Sequence, residues 1–466
     1  MCKAYKKSCV WILTEERPKV AVVCKILQGV CGDTVFNKDT RIVPILKDGK
    51  FTFVYTLVGF TNCVVSDVFI KIVSGKSSFV DFLVFYQDTE PKLDDIPVCA
   101  IEETKTDDSE SRNTAIYQRC TKFVYINYVY PGIRKIMLYN LQITPSKKPT
   151  QTNIFGTRLL LTMGVDIQVV DEKIIKERYA PFSSVDELID FKSCMRHAPV
   201  TNVPISITKK DDRIEISGRL YKNGSLAHDP NIGALSAISC VLRKLGWDKD
   251  IIITKHGLEQ KHVGKNNKFV QIANKLNIKL DGIDVPKADI EKEYWHYENS
   301  GEKLATIFLH LAIENYANGK LIFENHAGCE KGYFLTPNDG PVPLQKYENR
   351  VEYKSGNKAK IIHIPDLVMF DVQSGFIVEI EGKKYSKRIN GVNQIKLYDA
   401  FDEEYVNKYY PGIQTVRTVV LYGSNNTKVV ELDVGFLLNE NGDLILGPNP
   451  PSLIKKAIET AAAGSE

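Results

Sequence analysis

The sequence predicts a mixed α/β protein in which one α/β module occurs twice, and three observations predict it. Helix-period and strand-period segments follow one another up to about residue 143 and do so again from about residue 293. An ordered series of residues recurs in both stretches. In the first, Asp81 closes an apolar segment, a second apolar segment ends in Glu103 and Lys105, Gln118 follows in a helical pattern, and Tyr130 to Ile133 (YPGI) leads into a strand. In the second, the corresponding residues are Asp366, Glu381 and Lys383, Gln394, and Tyr410 to Ile413. Between the copies lies a stretch of different character, dense in lysine and amide side chains.

Taken in order, PKVAVVCKILQGV reads as a helix, and KFTFVYTLVGF, SDVFIKIVSG and SFVDFLVFYQ read as strands. After the polar turn DTEPKLDDIP come the strand VCAIEETK, the helix NTAIYQRCTKFVYIN and the strand RKIMLYNLQI. The proline-punctuated segment PSKKPTQTN is a linker. In the middle, HDPNIG starts a helix that ALSAISCVLRKLGW continues with i, i+3, i+4 apolar spacing, and DIIIT is a strand. The last module reads as helix (EKLATIFLHLAIENYANG), strands (KIIHIPDLVMFD and GFIVEIEGKK), helix (NQIKLYDAFDEEYVNKYY) and strand (VRTVVLYG). These readings divide the chain into a module over 1–145, a linker over 146–153, a middle region over 154–292, a second module over 293–450 and a tail over 451–466 whose short helix frays.

Composition narrows the class. At 466 residues and 43% hydrophobic, the chain exceeds one ordinary core. The net charge of +4 makes no polycation, so a polyanion site has to come from local clusters of Lys and Arg. The ten cysteines are scattered without a Cys-x-x-Cys pair, mostly in apolar stretches, which points to a reducing cytoplasm and away from zinc fingers or a disulfide framework. No window approaches the roughly 20 apolar residues of a membrane span, and the N-terminus lacks a signal h-region. The expectation is a cytoplasmic protein with no membrane partner.

Residues two apart on a strand share a face, so Glu103 with Lys105, and Glu381 with Lys383, project together. An Asp ending the neighbouring strand brings a second carboxylate to the same sheet edge. Two close carboxylates suit a hard divalent cation, and Mg²⁺ commonly takes one or two of them plus water and phosphate oxygens. The adjacent ammonium suits the charge of a phosphoryl transition state.

This pattern, literal as Pro365-Asp366 and Glu381-Gly382-Lys383 and with Val80 in place of the proline in the first copy, resembles the PD-(D/E)xK nuclease superfamily, and more narrowly type II restriction endonucleases. The resemblance covers about residues 19–143 and 294–423. It implies a restriction-endonuclease-like mixed-sheet core, present twice, with a middle DNA-recognition region. It further implies a Mg²⁺-dependent endonuclease that hydrolyses phosphodiesters in double-stranded DNA, as a monomer or homodimer. Asp366, Glu381, Asp81 and Glu103 would be the metal ligands, with Lys383 and Lys105 completing the catalytic sets and Gln394 and Gln118 in support. Gln394-Ile-Lys-Leu-Tyr398 resembles a motif of exonuclease-like members.

For DNA contacts the sequence offers Lys384, Lys387 and Arg388 beside the second site, and Lys255, Lys261, Lys265 and Lys268 in the middle. Glu379 shares a face with Glu381 and is expected to pair with a lysine. Glu15, Glu16 and Glu314 are considered as a helix carboxylate and read as surface residues, and His256 and His262 as surface or DNA-contacting residues. One active module, giving a nickase or a dimer-dependent enzyme, and a non-catalytic DNA-binding protein with a nuclease fold are the alternatives.

Overall fold

The structure, a computed structural model, describes residues 8–75, 79–104, 115–139, 151–168, 179–195, 205–220, 230–264, 267–297, 301–325, 333–344, 362–424 and 428–464. The fold is mixed α/β with several mixed sheets. The chain forms two compact units, Met1–Val73 with Tyr297–Glu466, and Ser74–His296. The sequence reading had placed its boundaries near 145, 153 and 292. The lysine-rich middle thus belongs to the same unit as the first Asp–Glu series, and the N-terminal segment to the same unit as the second.

In the first of these units, the strands Thr34–Lys47, Lys50–Asn62 and Val65–Gly75 form an antiparallel meander, and Ser8–Thr14 adds in parallel to Val65–Gly75. Ser8–Thr14 and Thr34–Lys47 escaped the sequence reading. The former is a continuous apolar run, Cys9 to Leu13, without alternation; the latter carries polar residues through its exposed half. A six-stranded sheet follows in the order Gly319–Glu324, Leu367–Asp371, Phe376–Lys384, Thr415–Tyr422, Val434–Leu438, Leu444–Leu446. The helix Lys303–Tyr316 lies under both sheets. Its Phe308 ring centroid is 4.6 Å from that of Phe51 and 5.8 Å from that of Phe436. Because both sides of this helix are covered, it is apolar nearly all round.

The segment expected as one helix after Phe376–Lys384 is a broken helical rod: Arg388–Gln394, a 3₁₀ turn at Ile395–Leu397, and a π turn at Asp402–Val406. Tyr398 and Asp402, four residues apart, both face the sheet, where Glu381 and Arg417 receive them. The C-terminal tail forms the helix Ser452–Ala463. Leu453, Ile454, Ala457, Ile458 and Ala461 are buried on one stripe of it.

In the other unit, Phe82–Tyr86, Cys99–Thr104, Arg134–Tyr139 and Val165–Gln168 run side by side, the first pair antiparallel and the next two parallel. That is also the pairing of Leu367–Asp371, Phe376–Lys384, Thr415–Tyr422 and Val434–Leu438. Each series has its helical segment between the second and third strands, and each third strand is preceded by a Pro-Gly turn in which Gly132 (φ 84°) and Gly412 (φ 78°) take left-handed backbone. The middle residues form a second sheet, Ile278–Leu280, Asp250–Thr254, Arg213–Ser217 and Ser206–Lys209. Its helix Pro230–Lys244 crosses Ala115–Val129 so closely that a Cβ on Gly233 would stand 1.6 Å from the carbonyl oxygen of Tyr117. The described cysteines are free thiols, with Cys99, Cys120 and Cys240 buried. Among the described residues no helix is long and apolar enough to cross a membrane.

Candidate active site

Strand register builds the second-copy site. Leu367 pairs with Ile380 in the antiparallel hairpin, so the next residues outward, Asp366 and Glu381, face each other at the end of the sheet. The Gly382 N–H donates to Asp366 Oδ2 at 2.8 Å. A side chain at position 382 has no room, since a Cβ there would lie 2.6 Å from Thr306 Cγ2 and 3.2 Å from Asp366 Oδ2. Glu381 is 1% exposed. Its two oxygens accept hydrogen bonds from Lys383 Nζ and from the Tyr398 hydroxyl.

A third carboxylate, Glu302, precedes the helix Lys303–Tyr316 and acts on the same group of charges. The Asp366 carboxyl is held well above the usual carboxylate range, first by burial and then by Glu381, with Lys383 and the Gly382 N–H opposing. Glu381 is also raised, by burial, against the pull of Lys383. Lys383 is pulled down by burial but raised overall by Glu381, Asp366 and Glu302. Two facing carboxyls thus share one ammonium, with Glu302 adding further negative charge. A divalent cation would relieve that repulsion.

Asp366 and Glu381 offer the hard oxygen donors that a divalent cation such as Mg²⁺ would take. Among the described residues no group of three or more His, Cys, Asp or Glu is arranged to hold a metal ion by itself.

Glu379, expected to pair with a lysine, is buried against Arg417 instead. Arg417 Nε donates to Glu379 Oε2 at 3.1 Å and its Nη2 to Asp402 Oδ2 at 2.6 Å. Burial and the neighbouring Asp402 hold Glu379 well above the ordinary range. Glu302, not Glu314, is the helix carboxylate at the site; Glu314 binds His310 at 3.0 Å and Arg17 at 3.6 Å. Its only sequence signal was its place immediately before the helix.

In the first copy the register moves by one residue. Phe82 pairs with Ile101, so Asp81 faces Glu102. The N–H of Glu103 donates to Asp81 Oδ2 at 2.7 Å, the part Gly382 plays in the second copy. Glu102, not Glu103, is therefore the buried partner of Asp81, and its Oε2 accepts the Asp81 N–H at 3.0 Å. Alternation hid this, because Glu102 and Glu103 are adjacent and only strand pairing says which one turns inward.

Lys122, four residues after Gln118 on the helix Ala115–Val129, donates to Glu102 Oε1 at 2.6 Å and lies 3.8 Å from Asp81 Oδ1. Arg119 Nε is 3.5 Å from Glu102 Oε1. Burial and then Asp81 push the Glu102 carboxyl up to about 7, with Lys122 and Arg119 opposing. Lys105 and the Gln118 side chain lie outside the described residues.

The expected DNA contacts divide. Beside the second site, Lys387 is exposed, Lys384 and Gln394 are half-buried, and Arg388 is held by Glu431 at 2.5 Å and over the Tyr385 ring. In the middle, Lys255 is exposed, Lys261 pairs with Glu259 at 2.7 Å, and Lys265 lies outside the described residues.

Lys268 is a correction. At 5% exposure, it bonds the Tyr125 hydroxyl and Glu291, each at 3.1 Å, and cannot touch a nucleic-acid backbone. His256 is likewise inside: its Nδ1 accepts from the Leu258 N–H, so Nε2 carries the proton and donates to the Asp281 carbonyl at 2.8 Å. His262 takes the Glu259 N–H in a local cap. Comparison with known proteins gives no match: no family model, no curated protein and no solved structure matches the chain.

Proposed function

We propose that this protein is a divalent-metal-dependent DNA endonuclease, of the type II restriction class, with a restriction-endonuclease-like core in each of its two Asp–Glu modules. The observation that carries this reading is the pair of a half-buried Asp366 and a buried Glu381, locked in register at a sheet end with Lys383 on Glu381. Two facing carboxyls that share one ammonium exceed what a simple ion pair needs, and a bound cation would stabilise their ionised forms.

A Mg²⁺ ion held by Asp366 and Glu381 would supply Lewis-acid charge to a phosphodiester. Lys383 places a positive charge where the phosphoryl transition state gains negative charge, and Tyr398 fixes Glu381 in place. Lys384, next in sequence, and Lys387, four residues after Lys383, suit the DNA backbone. Double-stranded phage DNA incubated with Mg²⁺, and separately with Ca²⁺ or EDTA, tests the reading. Discrete fragments with Mg²⁺ alone support it. DNA that is retarded on a gel but intact in all three selects a non-catalytic binding protein instead.

A further inference from the structure

The two modules place an ammonium on the same buried glutamate from different elements. Matching Glu103 N–H to Gly382 N–H as donors to the aspartate makes Glu102 equivalent to Glu381 and Thr104 equivalent to Lys383. At the strand position of Lys383 the first module has Thr104. On the helix the exchange runs the other way, with Tyr398 four residues after Gln394 and Lys122 four residues after Gln118. Strand Lys with helix Tyr in one module becomes strand Thr with helix Lys in the other.

We propose that the first module holds a second phosphodiester-hydrolysing centre, in which Asp81 and Glu102 are the carboxylates and Lys122 supplies the ammonium. This rests on the nuclease reading above. Arg119 Nε donates to the Glu103 carbonyl at 3.2 Å and only approaches Glu102 at 3.5 Å, so Lys122 is the cation bonded to that carboxylate. Lys122 also reaches the second acid, lying 2.6 Å from Glu102 and 3.8 Å from Asp81, so its charge serves the pair. In the reaction a water oxygen bonds to phosphorus as one ester P–O bond breaks. The products are a phosphate monoester and a hydroxyl, the water's proton ending on the leaving oxygen. Lys122 stabilises the charge that gathers on the phosphoryl oxygens.

Supercoiled plasmid with Mg²⁺ tests this with Lys122→Met, Glu102→Gln and the double variant Thr104→Lys/Lys122→Tyr, which moves the ammonium back to the strand. The first two are expected to stop at open circle, one strand's cleavage slowing by about 100-fold or more, and the double variant to regain linear product. Calorimetric titration with Ca²⁺, which needs no turnover, is expected to show two classes of site in the wild type and one in Glu102→Gln.

If the wild type linearises plasmid and Lys122→Met and Glu102→Gln do so at the same rate with unchanged Ca²⁺ isotherms, Lys122 is only a counterion and this inference alone falls. Loss of both strands' cleavage in Lys122→Met at an unchanged melting temperature also overturns it, since it means one shared centre. A wild type that cuts nothing overturns the nuclease reading and this inference with it.

Discussion

The backbone N–H of Gly382 donates to the Asp366 carboxylate at 2.8 Å, and the same glycine leaves only 2.6 Å between its absent Cβ and Thr306 Cγ2. One residue therefore seats the aspartate and lets the helix Lys303–Tyr316, with Glu302 before it, approach the sheet. Gly382→Ala is expected to destabilise by about 1–3 kcal/mol through overpacking. Because Thr306→Ser removes the crowding methyl, it should recover part of that loss in a double-mutant cycle read by chemical denaturation. Additive effects of the two substitutions would contradict this packing.

A second prediction concerns pH. Burial and Glu381 raise the Asp366 carboxyl, so the folded state holds this proton to higher pH than the unfolded chain does. The associated stability is full below the unfolded carboxyl value of about 4 and is lost as pH rises from there through the folded value. Asp366→Asn, which keeps an acceptor for the Gly382 N–H, removes that loss. Without divalent cation it should melt higher than the wild type at pH 8, by about 0.5–2 kcal/mol, and lose the advantage near pH 4. A variant less stable than the wild type at pH 8 would show that the carboxylate is stabilising in the apo protein.

The lysines separate by the same logic. Lys268→Met breaks the buried bonds to Tyr125 and Glu291 and should destabilise by about 2 kcal/mol, with DNA affinity measured in Ca²⁺ unchanged. Lys387→Ala should leave the melting temperature unchanged and lower the slope of log affinity against log salt by about 1. The reverse pattern would put Lys268 on the DNA.

The repeat was legible because its parts are local: an Asp beside an apolar strand, a charged strand end, a helix, and Pro-Gly turns that need Gly132 and Gly412. The Asp was read as ending its strand; instead the strands Phe82–Tyr86 and Leu367–Asp371 begin just after it. Asp366, Glu381 and Lys383 were legible for the same reason. What the sequence hid depends on pairing. Whether Glu102 or Glu103 turns toward Asp81 follows from Phe82 lying opposite Ile101. Lys122 and Glu302 reach their sites from helices, at spacings set by how those helices cross the sheet. The basic middle misled because charge along a sequence carries no record of burial. Lys268 is inside, and Arg243 spends its guanidinium on the carbonyls of Leu276, Trp247, Lys249 and Asn277.

The most direct measurement is the Mg²⁺-dependent cleavage rate of supercoiled plasmid by the wild type and by Lys383→Met, with DNA binding followed in parallel by gel retardation in Ca²⁺. Lys383 acts on charge that develops in the transition state, so cleavage of at least one strand should fall by about 100-fold or more while affinity changes little. A Lys383→Met protein that cuts both strands at the wild-type rate would contradict the assignment of the Asp366–Glu381–Lys383 cluster as a phosphodiester-cleaving site.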